Sequence, residues 1–142
     1  MATEYMSPVE QSAAKKTSSG LRILYADDMK ELRDVASISL TREGHRIECV
    51  ASGAEALHRL VESPDTIDLL ITDHHMPGMD GIELVQAVRE RELPCRILVF
   101  CSALSREVHD AYRRFAVDRF LYKPVLPSEL RQTIREIFAE KK

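Results

Sequence analysis

The run Ile67–Gly81, IDLLITDHHMPGMDG, decides how the rest of this chain is read. Its first part, Ile67 to Thr72, carries no charge after Asp68 and reads as a buried β-strand. Asp73 and a polar loop follow, and then a helical pattern from about Gly81 to Glu92. The same alternation extends in both directions. Towards the N-terminus, LRILYA (Leu21–Ala26) is a strand. A helix over Met29–Arg42 follows, with Leu32, Val35, Ala36 and Leu40 near one face and Gly44 at its end. Arg46–Ala51 is the next strand, and Ser52 caps a short helix that runs to about Glu62 before Pro64. Towards the C-terminus, Pro94 precedes the strand RILVFC (Arg96–Cys101), and Ser105 caps a helix to about Phe115. DRFLY (Asp118–Tyr122) is the fifth strand. Pro127 suits the first turn of a last helix, Ser128–Glu140, because its missing N–H has no partner to lose there.

Five strands alternating with five helices specify an α/β fold, a doubly wound parallel sheet. The strands read as nearly continuous apolar runs because helices cover both faces. In such sheets the site lies beyond the carboxyl ends of the strands. A chain of 142 residues suits one domain, and 44% hydrophobic with 30% charged residues is ordinary for a globular protein. The formal charge of -3 gives no basic footprint for nucleic acid, so direct DNA or RNA binding is not expected. No apolar run approaches a membrane span and no signal-peptide core is present, so the expected location is cytoplasmic, without membrane insertion. Cys49, Cys95 and Cys101 fit neither a metal-binding nor a disulfide spacing and read as small buried hydrophobes. Residues 1–20, rich in Ser, Thr, Ala, Lys and Glu, read as a flexible tail or linker, and residues 21–142 as the domain.

Chemistry gathers after the strands. Asp27 and Asp28 follow the first, Asp73 the third, Ser102 the fourth and Lys123 the fifth. Three carboxylates on one sheet edge repel one another unless a divalent cation offsets the charge, and hard oxygen donors suit Mg²⁺. A carboxylate is a competent nucleophile for phosphoryl transfer. The transferred group needs positive charge and donors around its oxygens, which Lys123 and Ser102 supply. Read alone, Asp27-Asp28 would be a helix cap, Ser102 a cap, Lys123 a solvated lysine and Phe120 core; their joint register favours a site.

The ordered set LYADD, ITDHHMPGMDG, CSA and YKP resembles the CheY-like receiver domains of two-component response regulators, over Leu21 to about Glu140. The resemblance implies a flavodoxin-like sheet of order 2-1-3-4-5 and Asp73 as phosphoacceptor. It implies Mg²⁺ on Asp27, Asp28, Asp73 and the main-chain carbonyl of His75. Ser102 matches the switch hydroxyl, Phe120 the aromatic switch, Lys123 the phosphate contact, and Pro124 a proline usually preceded by a cis bond. The switch would bring Ser102 towards the phosphate and turn Phe120 inward. The donor would be a histidine kinase or histidine phosphotransfer domain docking on Met29–Val35, and the output a downstream target protein. Ala116-Val117 departs from the commoner Gly-Ala, so the turn before the fifth strand is expected to differ. His75 stands where the family tunes phosphoryl lifetime, by orienting or by blocking the attacking water. His45, His58 and His109 read as surface or packing residues.

Asp73-His74-His75 also matches the name-giving motif of Asp-His-His phosphoesterases, two-metal hydrolases. That reading needs further Asp and His ligands, whereas Met76–Gly81 follows here. A haloacid-dehalogenase-type phosphatase would need a second Asp where His75 sits. No output domain follows the last helix, so a stand-alone regulator is expected. A fragment of a hybrid histidine kinase and a phosphorelay intermediate remain the alternatives.

Overall fold

Strand and helix alternate throughout the computed structural model, which describes residues 20–139. The expected tail, apart from Gly20, lies outside the described residues. The elements are β1 (Arg22–Ala26), α1 (Lys30–Arg42), β2 (Arg46–Val50), α2 (Gly53–Glu62), β3 (Leu69–Asp73), α3 (Gly81–Glu90), β4 (Arg96–Cys101), α4 (Arg106–Arg114), β5 (Arg119–Tyr122) and α5 (Pro127–Ala139). The strands form one parallel sheet in the order β2-β1-β3-β4-β5, the expected order.

Because side chains alternate across a strand, the sheet feeds two cores. Ile23, Tyr25, Ile71, Leu98 and Phe100 face α1 and α5, packing with Leu40, Leu130 and Ile134. Leu24, Leu70, Ile97 and Val99 face α2, α3 and α4, packing with Leu60, Leu84, Val88 and Tyr112. Each fully buried side chain of this kind contributes about 1.5–3 kcal/mol relative to exposure.

The helix starts follow local chemistry. The Ser52 and Ser105 hydroxyls accept from the N–H groups of Glu55 and Val108, as their positions predict. Asp80 caps α3 through a reciprocal box with Glu83. At the end of α1, Gly44 takes φ 93°, which lets its own N–H reach Thr41 O and the His45 N–H reach Leu40 O.

Several expectations need correction. β3 starts at Leu69, since Asp68 is engaged by Arg22 through its backbone N–H and a two-point guanidinium contact. β2 is an edge strand and largely exposed, so its residues are not a buried run. Cys49 on β2 is therefore exposed, while Cys95 and Cys101 are buried as expected. Val35 is 59% exposed, whereas Ala36 and Leu40 are buried. It stands at the rim of an apolar groove of about 440 Å³ between α1 and α5, floored by Tyr25 and Phe100. The turn before β5, where Ala116-Val117 replaces the commoner Gly-Ala, places Ala116 in the left-handed region. Ala116 takes φ 59°, and the Arg89 guanidinium donates to the carbonyls of Phe115 and Ala116, holding a conformation that a residue with a Cβ rarely adopts.

His45 is buried, and its Nδ1 accepts from the Leu21 N–H at 3.1 Å, so it must be neutral there. Burial lowers its pKa from the ordinary 6.5. The unfolded chain then binds the extra proton first as pH falls, and stability declines below about pH 6.5. The expected outcome is a fall in Tm from pH 7 to pH 5 that is shallower in His45→Gln, measured by thermal unfolding of both proteins.

Candidate functional site

The carboxyl ends of β1, β3 and β5 meet at one edge of the sheet. Ala26 pairs with Thr72 in the β1–β3 ladder, so the chain enters Asp27 and Asp73 side by side. Asp73 itself is opposite Phe100 of β4. Asp27, Asp28 and Asp73 each offer an oxygen, and these lie within 4.8 Å of one another. Asp27 and Asp73 are buried and Asp28 is exposed.

Asp27 is held rigidly. Its Oδ2 accepts from the Tyr25 hydroxyl at 2.6 Å and its Oδ1 from the Met29 N–H at 3.0 Å. The Arg33 guanidinium donates to the Asp27 main-chain carbonyl. Burial, together with the bond to Asp27, pushes the Tyr25 phenol far above its ordinary range, so it remains a donor. Tyr25 was missed in the sequence, although Tyr25 and Asp27 stand two apart at the end of a strand and so share a face.

Lys123 reaches across from the end of β5 and places Nζ 2.7 Å from Asp73 Oδ1. Burial pushes the Asp73 carboxyl up, and the Lys123 ammonium opposes that shift. The Lys123-Pro124 bond is cis. Ser102 is exposed just beyond β4, and His75 is exposed on the β3–α3 loop. Phe120 is half-buried in β5, edge-on to Tyr112 at 5.7 Å and stacked on His109 at 4.4 Å. The structure therefore brings Asp27, Asp28, Asp73 and Lys123 together directly, with Ser102 at the same sheet edge and Phe120 within β5.

The donor set fits a hard cation. The three carboxylate oxygens already lie close enough to converge on one hard cation, and the exposed Asp28 side chain can adjust to it. Lys123 is then placed for the anionic group that such an ion would share with Asp73.

A sheet of this order, with three carboxylates and a lysine at its carboxyl edge, defines a CheY-like receiver domain. The sequence matches the response regulator receiver domain family over residues 23–135, and the chain belongs to that family. It is 34% identical over 119 residues to the transcriptional regulatory protein TctD of Salmonella typhimurium, covering 82% of this chain and 51% of that one. It is 32% identical over 122 residues to a chemotaxis protein CheY homologue of Campylobacter jejuni, covering 82% of this chain and 92% of that one. The structure of Vibrio cholerae CheY4 superposes with TM-score 0.77 at 29% identity, over 84% of this chain and 99% of that one. The chain spans about half or less of the length of several curated relatives it matches, TctD among them. Members of this family are signalling domains. Among the described residues, no helix is long and apolar enough to cross a membrane.

The donor geometry predicts that Mg²⁺ at ten times its Kd raises folding stability by about 1.4 kcal/mol, roughly 4 °C in Tm. Asp28→Asn should reduce that increment at the same Mg²⁺ concentration. An equal rise in both proteins, followed by thermal unfolding with and without the ion, would remove Asp28 from the metal site.

Proposed function

We propose that the chain accepts a phosphoryl group on Asp73 from a phosphohistidine of a histidine kinase or histidine phosphotransfer domain, and that the modified surface controls a downstream protein. The observation that carries this reading is Lys123 Nζ at 2.7 Å from Asp73 Oδ1, beside the three grouped carboxylates. Asp27, Asp28, Asp73 and the His75 main-chain carbonyl would hold Mg²⁺. Bound there, the ion supplies charge neutralisation between the carboxylates and the phosphoryl oxygens.

Asp73 is the nucleophile. One carboxylate oxygen forms a bond to phosphorus, the phosphorus–nitrogen bond of the phosphohistidine breaks, and its electron pair returns to the imidazole. Lys123 meets the charge on the phosphoryl oxygens, and the Ser102 hydroxyl donates to one of them. The aspartyl phosphate carries about two negative charges, a stronger partner for Lys123 and Ser102 than the free carboxylate. Ser102 moving towards it makes room for Phe120 to turn inward and alter the α4–β5–α5 face. This is a shift between two packings that both pre-exist. The domain thus supports its own modification without turning over an external substrate.

Docking of the donor on α1 is supported by the exposed Met29 and Val35 and by the groove between α1 and α5, whose lining includes Lys123. The Campylobacter relative, 92% of whose length is matched, favours a single-domain regulator. The longer relatives, of which the match covers 20%, 16% and 51%, support the alternative of a receiver within a longer chain, such as a hybrid kinase or relay protein. The Asp-His-His hydrolase reading is weaker, because the grouped donors among the described residues are carboxylates alone and the His74 ring is bonded to Tyr112.

Incubation with acetyl phosphate and Mg²⁺ is expected to add one phosphoryl mass to the wild type, to fail when Mg²⁺ is chelated, and to fail in Asp73→Asn. Intact-mass spectrometry reads all three, and an unchanged gain in Asp73→Asn would sink the assignment.

A further inference from the structure

Tyr112 is the largest polar side chain of the described core that the proposed chemistry leaves unused. It projects from α4, a helix whose other side chains are exposed or half-buried, and is itself fully buried. Its hydroxyl stands 2.6 Å from Nδ1 of His74, the residue that follows the acceptor. A buried tyrosine hydroxyl needs such a partner. The contact lies inside the turn that carries Asp73 into α3. There the Gly81 N–H donates to the His74 carbonyl, and a Cβ on Gly81 would collide with the Tyr112 hydroxyl, the Asp73 carbonyl and the His74 Cα. Glycine is therefore required at 81 for the hydroxyl to enter.

The other end of the Tyr112 ring has a different neighbour. It meets Phe120 edge-on, with centroids 5.7 Å apart and planes at 71°. Phe120 is in turn stacked on His109 at 4.4 Å and 29°. On the acceptor side, the His74 ring is edge-on to His75 at 4.7 Å. A continuous run of contacts thus leads from the acceptor loop through His74 and Tyr112 to Phe120 and the outer surface of α4. Phe120 cannot turn inward without sliding over the Tyr112 ring and leaving His109.

We propose that Tyr112, bonded to His74, is a positioning residue that couples the acceptor loop to Phe120. This rests on Asp73 being phosphorylated and adds a second connection to the one through Ser102. The hydroxyl ties the ring to the turn behind Asp73. A displacement of that turn, when Lys123 and the loop rearrange around the new phosphoryl group, then moves the surface against which Phe120 packs. With the hydroxyl removed, the ring still fills the core but no longer follows the loop.

The test uses the full chain, with acetyl phosphate and Mg²⁺, and compares wild type with Tyr112→Phe. Intact mass gives the phosphorylated fraction, and NMR gives the shift changes of the Phe120 ring and of the Arg119–Tyr122 amides per phosphorylated molecule. Tyr112→Phe is expected to be phosphorylated, to keep the unphosphorylated spectrum of the core, and to show those shift changes reduced at least twofold. His74→Phe, which lacks the ring nitrogen that the hydroxyl meets, should behave likewise. His74→Asn, whose amide can stand near Nδ1, should recover most of the response, which a purely packing role would not produce. If Tyr112→Phe does not fold, the two His74 variants decide the matter. Equal shift changes in wild type, Tyr112→Phe and His74→Phe, with all three phosphorylated, overturn the coupling and leave the acceptor assignment intact. No phosphoryl gain in the wild type overturns both.

Discussion

The contact between Lys123 and Asp73 is where the fold and its chemistry meet. The two residues are far apart in sequence and lie at the ends of strands with β4 between them. An ammonium can stand 2.7 Å from that carboxylate only if β3, β4 and β5 are in their observed register. A slip of one residue in any of these ladders would turn every side chain of the slipped strand to the opposite face. The two cores beneath the sheet therefore act on the site indirectly, by allowing only one register.

Around that contact the site divides into fixed and adaptable parts. Asp27 is buried and receives donors on both oxygens, so its position is set before any ligand arrives. Asp28, His75 and Ser102 are exposed, which suits groups that, under the proposed function, would follow an incoming ion or phosphoryl group. Asp73 combines both characters, being buried yet opened to the site by its place at a strand end. Burial raises its carboxyl pKa and Lys123 counters that rise, so the carboxyl group is desolvated without losing its partner.

Much of this was legible in the sequence because a parallel α/β sheet places its chemistry where apolar runs stop. Asp27, Asp28, Asp73 and Lys123 could be located from that rule and from the motifs around them. What escaped depended on distance or on strand order. Tyr112 stands in the charged stretch Arg106–Arg114, and its partner His74 is 38 residues away, so nothing local announces the contact. Periodicity placed Val35 on the inner face of α1, but it cannot distinguish a core position from the rim of a groove between two helices. Cys49 is a small apolar residue by type and so reads as buried, although the order 2-1-3-4-5 that the resemblance implies already places β2 at an edge, where one flank of the strand is open. The Asp80–Glu83 box was present as an ordinary capping pattern and was overlooked beside the metal-site motif.

The exposed edge at β2 has a consequence for the behaviour of the chain in a crowded solution. An open strand edge offers unpaired N–H and C=O groups on which another chain can template itself. Here the edge strand is short and carries Arg46 and Glu48, and the Arg59 guanidinium grips Glu48 at 2.6 and 2.9 Å from the neighbouring helix. Adding a sixth strand would mean stripping water from those charges and disturbing that grip. The sheet is thereby protected against indefinite growth on that side, so a chain with an open strand edge can stay in solution at high concentration without stacking edge to edge.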